Sequence, residues 1–183
     1  MATITSAEQL GQRTIDLNIV DESQLQSVWS ELGTRNVSLT DFQQELLRRN
    51  LLTNYQLDRV QRGLRTGFFY GDYKVLYNVG SGTFARVFRA THQITGELFA
   101  VKVLRNRFSN PKTNLQNPET IEFFHREGKL GSTLVHPNIV RIHESVSKAV
   151  THYLVMDFIE GRNLREFHRA RRRFDPILSL IHI

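Results

Sequence analysis

Gly80 and Gly82, in VGSGTFARVF (Val79–Phe88), are separated by one residue and close an apolar run. Backbone lacking a β-carbon can bring its amides against a phosphate oxygen where a side chain would collide. Further along, Lys102 in FAVK offers a cation for the same anion, and Glu127 in FHRE offers a carboxylate to hold that cation. Phosphate loops of several kinds share such glycines, so the context has to separate them. GSGTFA (80–85) spells the dinucleotide-binding pattern, which needs a helix directly after it and an acid about twenty residues later. Here RVFRATHQITGE reads as strand and turn, and FAVKVL ends without an acid. A Walker loop fails because no Gly-Lys-Ser/Thr follows. His125, His136, His143, His152 and His168 fall at no ligand spacing, and the chain has no cysteine, so neither a metal site nor a disulfide is expected.

The elements that must position these groups fall into two halves. Residues 1–66 carry helix-entry spellings. SAEQ (Ser6–Gln9), DESQ (Asp21–Gln24), TDFQ (Thr40–Gln43) and TNYQ (Thr53–Gln56) each place a capping residue three before Gln, the spacing of a capping box. Leu25, Val28, Trp29 and Leu32 form a helical stripe ended by Gly33. LTDFQ (39–43) recurs as LTNYQ (52–56), which predicts two consecutive helices sharing one entry device. Such a module either recruits a partner or regulates, or it packs as a cap on the second half of the chain; the stripes serve both readings.

RTGFFYGDY (Arg65–Tyr73), with its two glycines, reads as the boundary, with 67–71 as linker. Beyond it the period becomes two. DYKVLYNVG, FARVFRATH and LFAVKVL predict strands, ITGE (Ile94–Glu97) a hairpin turn, and IVRIHESV and HYLVMDFI two more strands. NPETIEFFHREGKLGSTL predicts a helix with Asn117 capping, Pro118 in its first turn, and Ile121, Phe124, Gly128 and Leu134 toward one side.

Strand, glycine loop, strand, turn and a strand carrying Lys102 is an order that resembles the protein kinase amino-terminal lobe. GSGTFARV resembles the family's Gly-x-Gly-x-x-Gly-x-Val with Ala85 for the third glycine, and FAVK resembles Val-Ala-Ile-Lys. FHRE looks like the helix-C segment, while HPNIV (His136–Val140) and YLVMDFIEG (Tyr153–Gly161) are similar to the segments leading into the hinge, especially in bacterial serine/threonine kinases. The resemblance spans about residues 72–176.

With the small all-α module read over 1–66, the resemblance implies an α+β fold: that module, then a five-stranded antiparallel sheet with helix C, the hinge, and the first helix or two of the larger lobe over 72–177. It implies ATP as cofactor. Gly80, Ser81, Gly82, Thr83, Phe84 and Ala85 would cover the phosphates, with Phe84 as a partial lid. Ala85 would be strained if that position needed a positive φ. Lys102 would bind the α- and β-phosphates and Glu127 would position it; burying that cation without the carboxylate would be costly. Val79, Val87, Ala100 and Val140 would form the adenine slot with Met156 as gatekeeper, and the Asp157 carbonyl and Ile159 amide would meet the base edge.

The rest of that machinery is not spelled out in these 183 residues. No His-Arg-Asp-x-x-x-x-Asn and no Asp-Phe-Gly occurs, so the base and the Mg2+ ligands of the family are missing from this sequence. The resemblance implies a parent that phosphorylates protein hydroxyls, while this polypeptide would do no more than hold nucleotide. The alternative is a non-catalytic nucleotide-binding or scaffold protein. FDP (Phe174–Pro176) spells a helix start, and LSLIHI (Leu178–Ile183) matches one reading frame of a common library adapter. That tail is expected to be foreign, the alternative being a genuine apolar helix start.

Charge divides as the elements do. The first 66 residues hold seven Arg against eight Asp and Glu, and the remainder carries the whole basic excess of a chain with net charge +6. A basic half suits a nucleotide; RARRR (Arg169–Arg173) could also touch nucleic acid, but no interleaved aromatics support that. No membrane span or signal peptide is spelled, so the expected location is cytoplasmic.

Overall fold

The computed structural model describes residues 4–105, 118–149 and 151–161. The expected start of the larger lobe, the arginine run, His168, Asn117 and the tail at 178–183 all lie outside the described residues.

Four helices come first: α1 (Ala7–Asp16), α2 (Glu22–Leu32), α3 (Leu39–Arg48) and α4 (Asn54–Gln61). Each starts where a side-chain oxygen accepts an otherwise unpaired amide, a device worth about 1 kcal/mol. Asp21 and Thr53 form complete capping boxes with Gln24 and Gln56. Ser6 accepts the Gln9 amide, but the Gln9 side chain accepts from Thr5 instead of closing the box. The third entry differs from expectation. Ser38, not Thr40, caps α3, because its hydroxyl reaches the Asp41 amide and donates to the Asp41 carboxylate at 2.6 Å. The repeated pentapeptide therefore enters its two helices in different register. Inside the module Trp29 stacks on Phe42 at 4.3 Å, within a core that includes Leu10, Val28, Leu46 and Val60.

Six antiparallel strands come after them: β1 (Phe69–Tyr70), β2 (Tyr73–Ser81), β3 (Ala85–His92), β4 (Leu98–Leu104), β5 (Ile142–Lys148) and β6 (Thr151–Asp157), in spatial order β1-β2-β3-β4-β6-β5. Five were expected. The sixth is β1, formed inside the stretch read as linker: Gly71, at φ +58, turns the chain so that Tyr70 pairs with Tyr73. The ITGE turn stands as read, with His92 N–H donating to the Glu97 carbonyl.

Alternation along the strands gives the sheet two distinct faces. Tyr73, Val75, Phe88, Ala90, Val101, Val103, Tyr153 and Val155 share one core cluster against Tyr55 and Tyr70; this is the module face. Ala85, Leu104, Leu154 and Met156 occupy the other, the loop face, with Ile142, Phe124 and Ile121.

The module is fastened to its face at β2. Thr53 donates to the Leu76 carbonyl at 2.7 Å and Gln56 to the Val75 carbonyl at 2.7 Å, where a bulge between Val75 and Tyr77 shifts the ladder. Lys74 donates to the Ile19 carbonyl, and burial depresses its pKa. Helix α5 (Pro118–Thr133) lies on the loop face. A β-carbon on Gly128 would fall 2.6 Å from Leu154 and Ser145, and one on Gly131 would collide with Ile142. Those two glycines let the helix close on β5 and β6. The helix ends at Thr133, so Leu134 falls outside it and is exposed, unlike its expected place among the apolar residues of that helix.

Candidate functional site

On the loop face, Lys102 sits one residue past buried Val101 and opposite Val87 of β3 and Leu154 of β6. From α5, Glu127 reaches across so that the ammonium donates to both carboxylate oxygens, at 2.6 and 2.7 Å. The neighbouring Gly128 makes this reach possible by holding the helix close. The Phe124 ring lies 6.0 Å from the same ammonium.

The pair is less enclosed than the sequence suggested. The Glu127 side chain is 49% exposed and that of Lys102 is 26% exposed. An ion pair of this openness contributes about 0–1 kcal/mol to stability. Its value lies in the position it gives the cation.

A cavity of about 540 Å³ opens beside the pair, walled by Gly82, Thr83, Phe84, Ala85 and Val87 on one side and by α5 on the other. Gly80 and Gly82 lie outside the positive-φ region, and β-carbons there would come no closer than 3.9 and 3.6 Å to other atoms. The hairpin therefore does not need glycine for its own geometry; what glycine leaves is room above the backbone. Ala85 takes no positive φ either and is buried as the first residue of β3, so no strain attaches to it. Phe84 is 57% exposed, with its carbonyl accepting from the Arg105 amide.

The expected adenine residues are only partly gathered. Ala100 is buried and pairs across the ladder with Met156. Val79 and Val140 are half exposed and Ile159 more so, and Val140, Asp157 and Ile159 line a separate hollow of about 550 Å³ with Leu134 and Ile139. The Asp157 amide donates to the Arg141 carbonyl. Ser81 lies at the end of β2, its hydroxyl near the Asn78 side chain.

Two features of this region went unread in the sequence. His143 and the Asp157 carboxylate meet at 2.6 Å, and Arg89 pairs with Glu160 at 3.3 Å while lying over the Phe158 ring. The first joins β5 to the end of β6, and the second ties the segment after β6 to β3. Arg89 was detectable, since it stands two residues after Val87 on the same face of β3. From α5, Glu119 and Phe123 also line the loop cavity. They precede Glu127 by eight and four residues, a helical stripe visible in the sequence. Among the described residues no group of three metal-ligating side chains occurs, and no helix is long and apolar enough to cross a membrane.

The sequence is similar to that of known proteins. A family model described as protein kinase domain matches residues 73–178. Calcium/calmodulin-dependent protein kinase type II of Caenorhabditis elegans is 36% identical over 103 residues, covering 56% of this chain and 13% of that protein. Serine/threonine-protein kinase PrkC of Bacillus subtilis is 34% identical over 106 residues, covering 58% of this chain and 15% of that protein. The chain thus spans less than a fifth of the length of these relatives. A family match that begins at β2, together with a lysine and a helical carboxylate joined beside a glycine hairpin, establishes that this chain belongs to the protein kinase family.

Proposed function

We propose that residues 72–161 form the nucleotide-holding lobe of an ATP-dependent protein serine/threonine kinase. The observation that carries this reading is the two-pronged contact of Lys102 with Glu127 beside the glycine hairpin. A lysine alone is a mobile point charge; gripped by both carboxylate oxygens, it presents its remaining proton and its charge in one direction. Anion binding there needs no reorganisation, which is where electrostatic stabilisation of phosphoryl groups is gained.

The amides of residues 80–85 would close over the phosphates and Phe84 would screen them from water. Ala100 and Val87 would provide an apolar ceiling for the base, with Val79 and Val140 as its flanks and Met156 behind it. The Asp157 carbonyl and the Ile159 amide would read the base edge, held by the His143 and Arg89 contacts. Bound Mg-ATP would supply the γ-phosphoryl group to a protein hydroxyl in the parent enzyme. The base that accepts the hydroxyl proton and the Mg2+ ligands are not among these 183 residues, so the activity proposed for this chain itself is nucleotide binding.

Titration with a fluorescent ATP analogue tests it. Lys102→Met should weaken binding at least tenfold and Glu127→Gln by a smaller factor, with unchanged circular dichroism. Equal binding by the Lys102 variant would overturn the reading.

A further inference from the structure

A cavity of about 810 Å³ lies on the opposite side of the sheet from Lys102. Strand alternation explains what lines it. Arg86 precedes buried Phe88 by two residues, Arg105 comes two after Val103, and Lys148 pairs with Thr151, itself two before Tyr153. All three cations therefore stand on the module face, at the same end of the sheet. Arg59 of α4 and Arg65 of the turn after it approach from the other side. Five cationic side chains from separate parts of the chain thus border one cavity, and among the described residues no carboxylate lines it.

Bordering cations are commonly a solvated rim, but three details set this group apart. The Arg59 guanidinium is already fixed: it lies 5.5 Å from both the Tyr55 and Phe68 ring centres and donates to the Thr66 carbonyl, while its buried Nε has no acceptor among the described residues. The side chains of Arg65, Arg86 and Lys148 make no hydrogen bond or ion pair with the described residues. Tyr70 and Tyr153 stand at 5.7 Å as an aromatic floor, and burial raises the pKa of both, so their hydroxyls remain donors at neutral pH. Guanidinium forks, an ammonium and phenol donors around an aromatic floor match a compact dianion with several acceptor oxygens.

We propose that this cavity, between the helical module and the sheet, is a second anion site that takes a phosphate monoester group. It stands on residues separate from the glycine hairpin and does not depend on the nucleotide reading. Because the module supplies Arg59 and the sheet supplies Arg86 and Lys148, an occupied site would bind the two parts together. The monoester can belong to a small phosphorylated molecule or to a phosphorylated side chain of another protein.

Calorimetric titration of the full chain with phenyl phosphate, in magnesium-free buffer at physiological ionic strength, tests the site. Phenyl phosphate should bind and raise the melting temperature, and phenyl sulfate, the same shape with one charge fewer, should bind several-fold more weakly. The double variant Arg86→Glu, Lys148→Glu should lose at least tenfold in affinity, and the milder pair Arg86→Gln, Lys148→Gln reports the same loss in part if charge reversal impairs folding. Lys102→Met should leave the affinity unchanged. A phosphoserine peptide that binds more tightly than phenyl phosphate supports the site with a protein as the source; the reverse order supports it with a small molecule. Absent binding, binding indifferent to Arg86 and Lys148, or binding lost with Lys102 would each overturn the proposal. So would an oligonucleotide that displaces phenyl phosphate at lower concentration, since the cations would then serve an extended strand.

Discussion

The two faces of this sheet are made of the same strands yet end in different states. The module face is closed at its centre: Val75, Ala90, Val101 and Val155 are fully shielded, and aromatic rings from α4 and β1 lie on Phe88. The loop face is covered by α5 over Lys102 and parts of β5 and β6. Toward the end of β6 it leaves Val79, Val140 and Ile159 open, and nearby Val135 is 84% exposed. The difference teaches that apolar burial is concentrated on one face, with its cationic cavity at one end, while the glycine hairpin and the Lys102–Glu127 pair stand on the more open one. Apolar contact holds the centre of one face together, while the other leaves more apolar surface open.

If that division is right, truncations on the two faces should differ sharply. Phe88→Ala removes a side chain that is 2% exposed and wedged between Tyr55 and Tyr70, and should cost about 3–5 kcal/mol in urea unfolding. Gln56→Leu comes next. It deletes the amide that joins the α4 capping box to the Val75 carbonyl, leaving a buried acceptor unpaired, and should cost about 1–3 kcal/mol. Amide exchange in β2 should rise in the same variant, since the fastening lies just before the glycine hairpin.

A smaller effect should appear with pH. His152 is buried and in contact with His125 at 3.0 Å, and burial followed by His125 lowers its pKa below the usual 6.5. The unfolded chain then binds the proton more readily, so stability should be full above about pH 6.5 and fall as the pH drops toward the folded value. His152→Gln should flatten that slope in denaturant titrations. Smallest of all, Val140→Ala on the open side should change stability by less than about 0.5 kcal/mol. A loss comparable to that of Phe88→Ala would abolish the contrast between the faces.

Much of the candidate site could be read residue by residue, because its signals are local. Gly80 lies at the end of a strand and Gly82 just past it, Lys102 stands on an alternating strand, and Glu127 on a helix whose stripe runs through Phe123 and Glu119. What escaped is what depends on partners distant in the chain. Phe69–Tyr70 is too short to show any period and becomes a strand only because Tyr73 folds back on it. Ser38 outcompeted Thr40 because Asp41 is three residues beyond it, a choice that two equivalent spellings could not settle. The His143–Asp157 and Arg89–Glu160 contacts join residues brought together by strand pairing.

The sequence by itself determined the alternation, the caps, and the identity of the cation and carboxylate, since these arise from periodicity and from the chemistry of neighbouring residues. Only the tertiary structure decided that Glu127 meets Lys102, through the close approach allowed at Gly128, and that the four helices cover the far side of the sheet. It also decided that Arg59, Arg86 and Lys148 border one cavity. Alternation fixes which side of a strand a residue takes, but packing across the whole chain decides what meets it there.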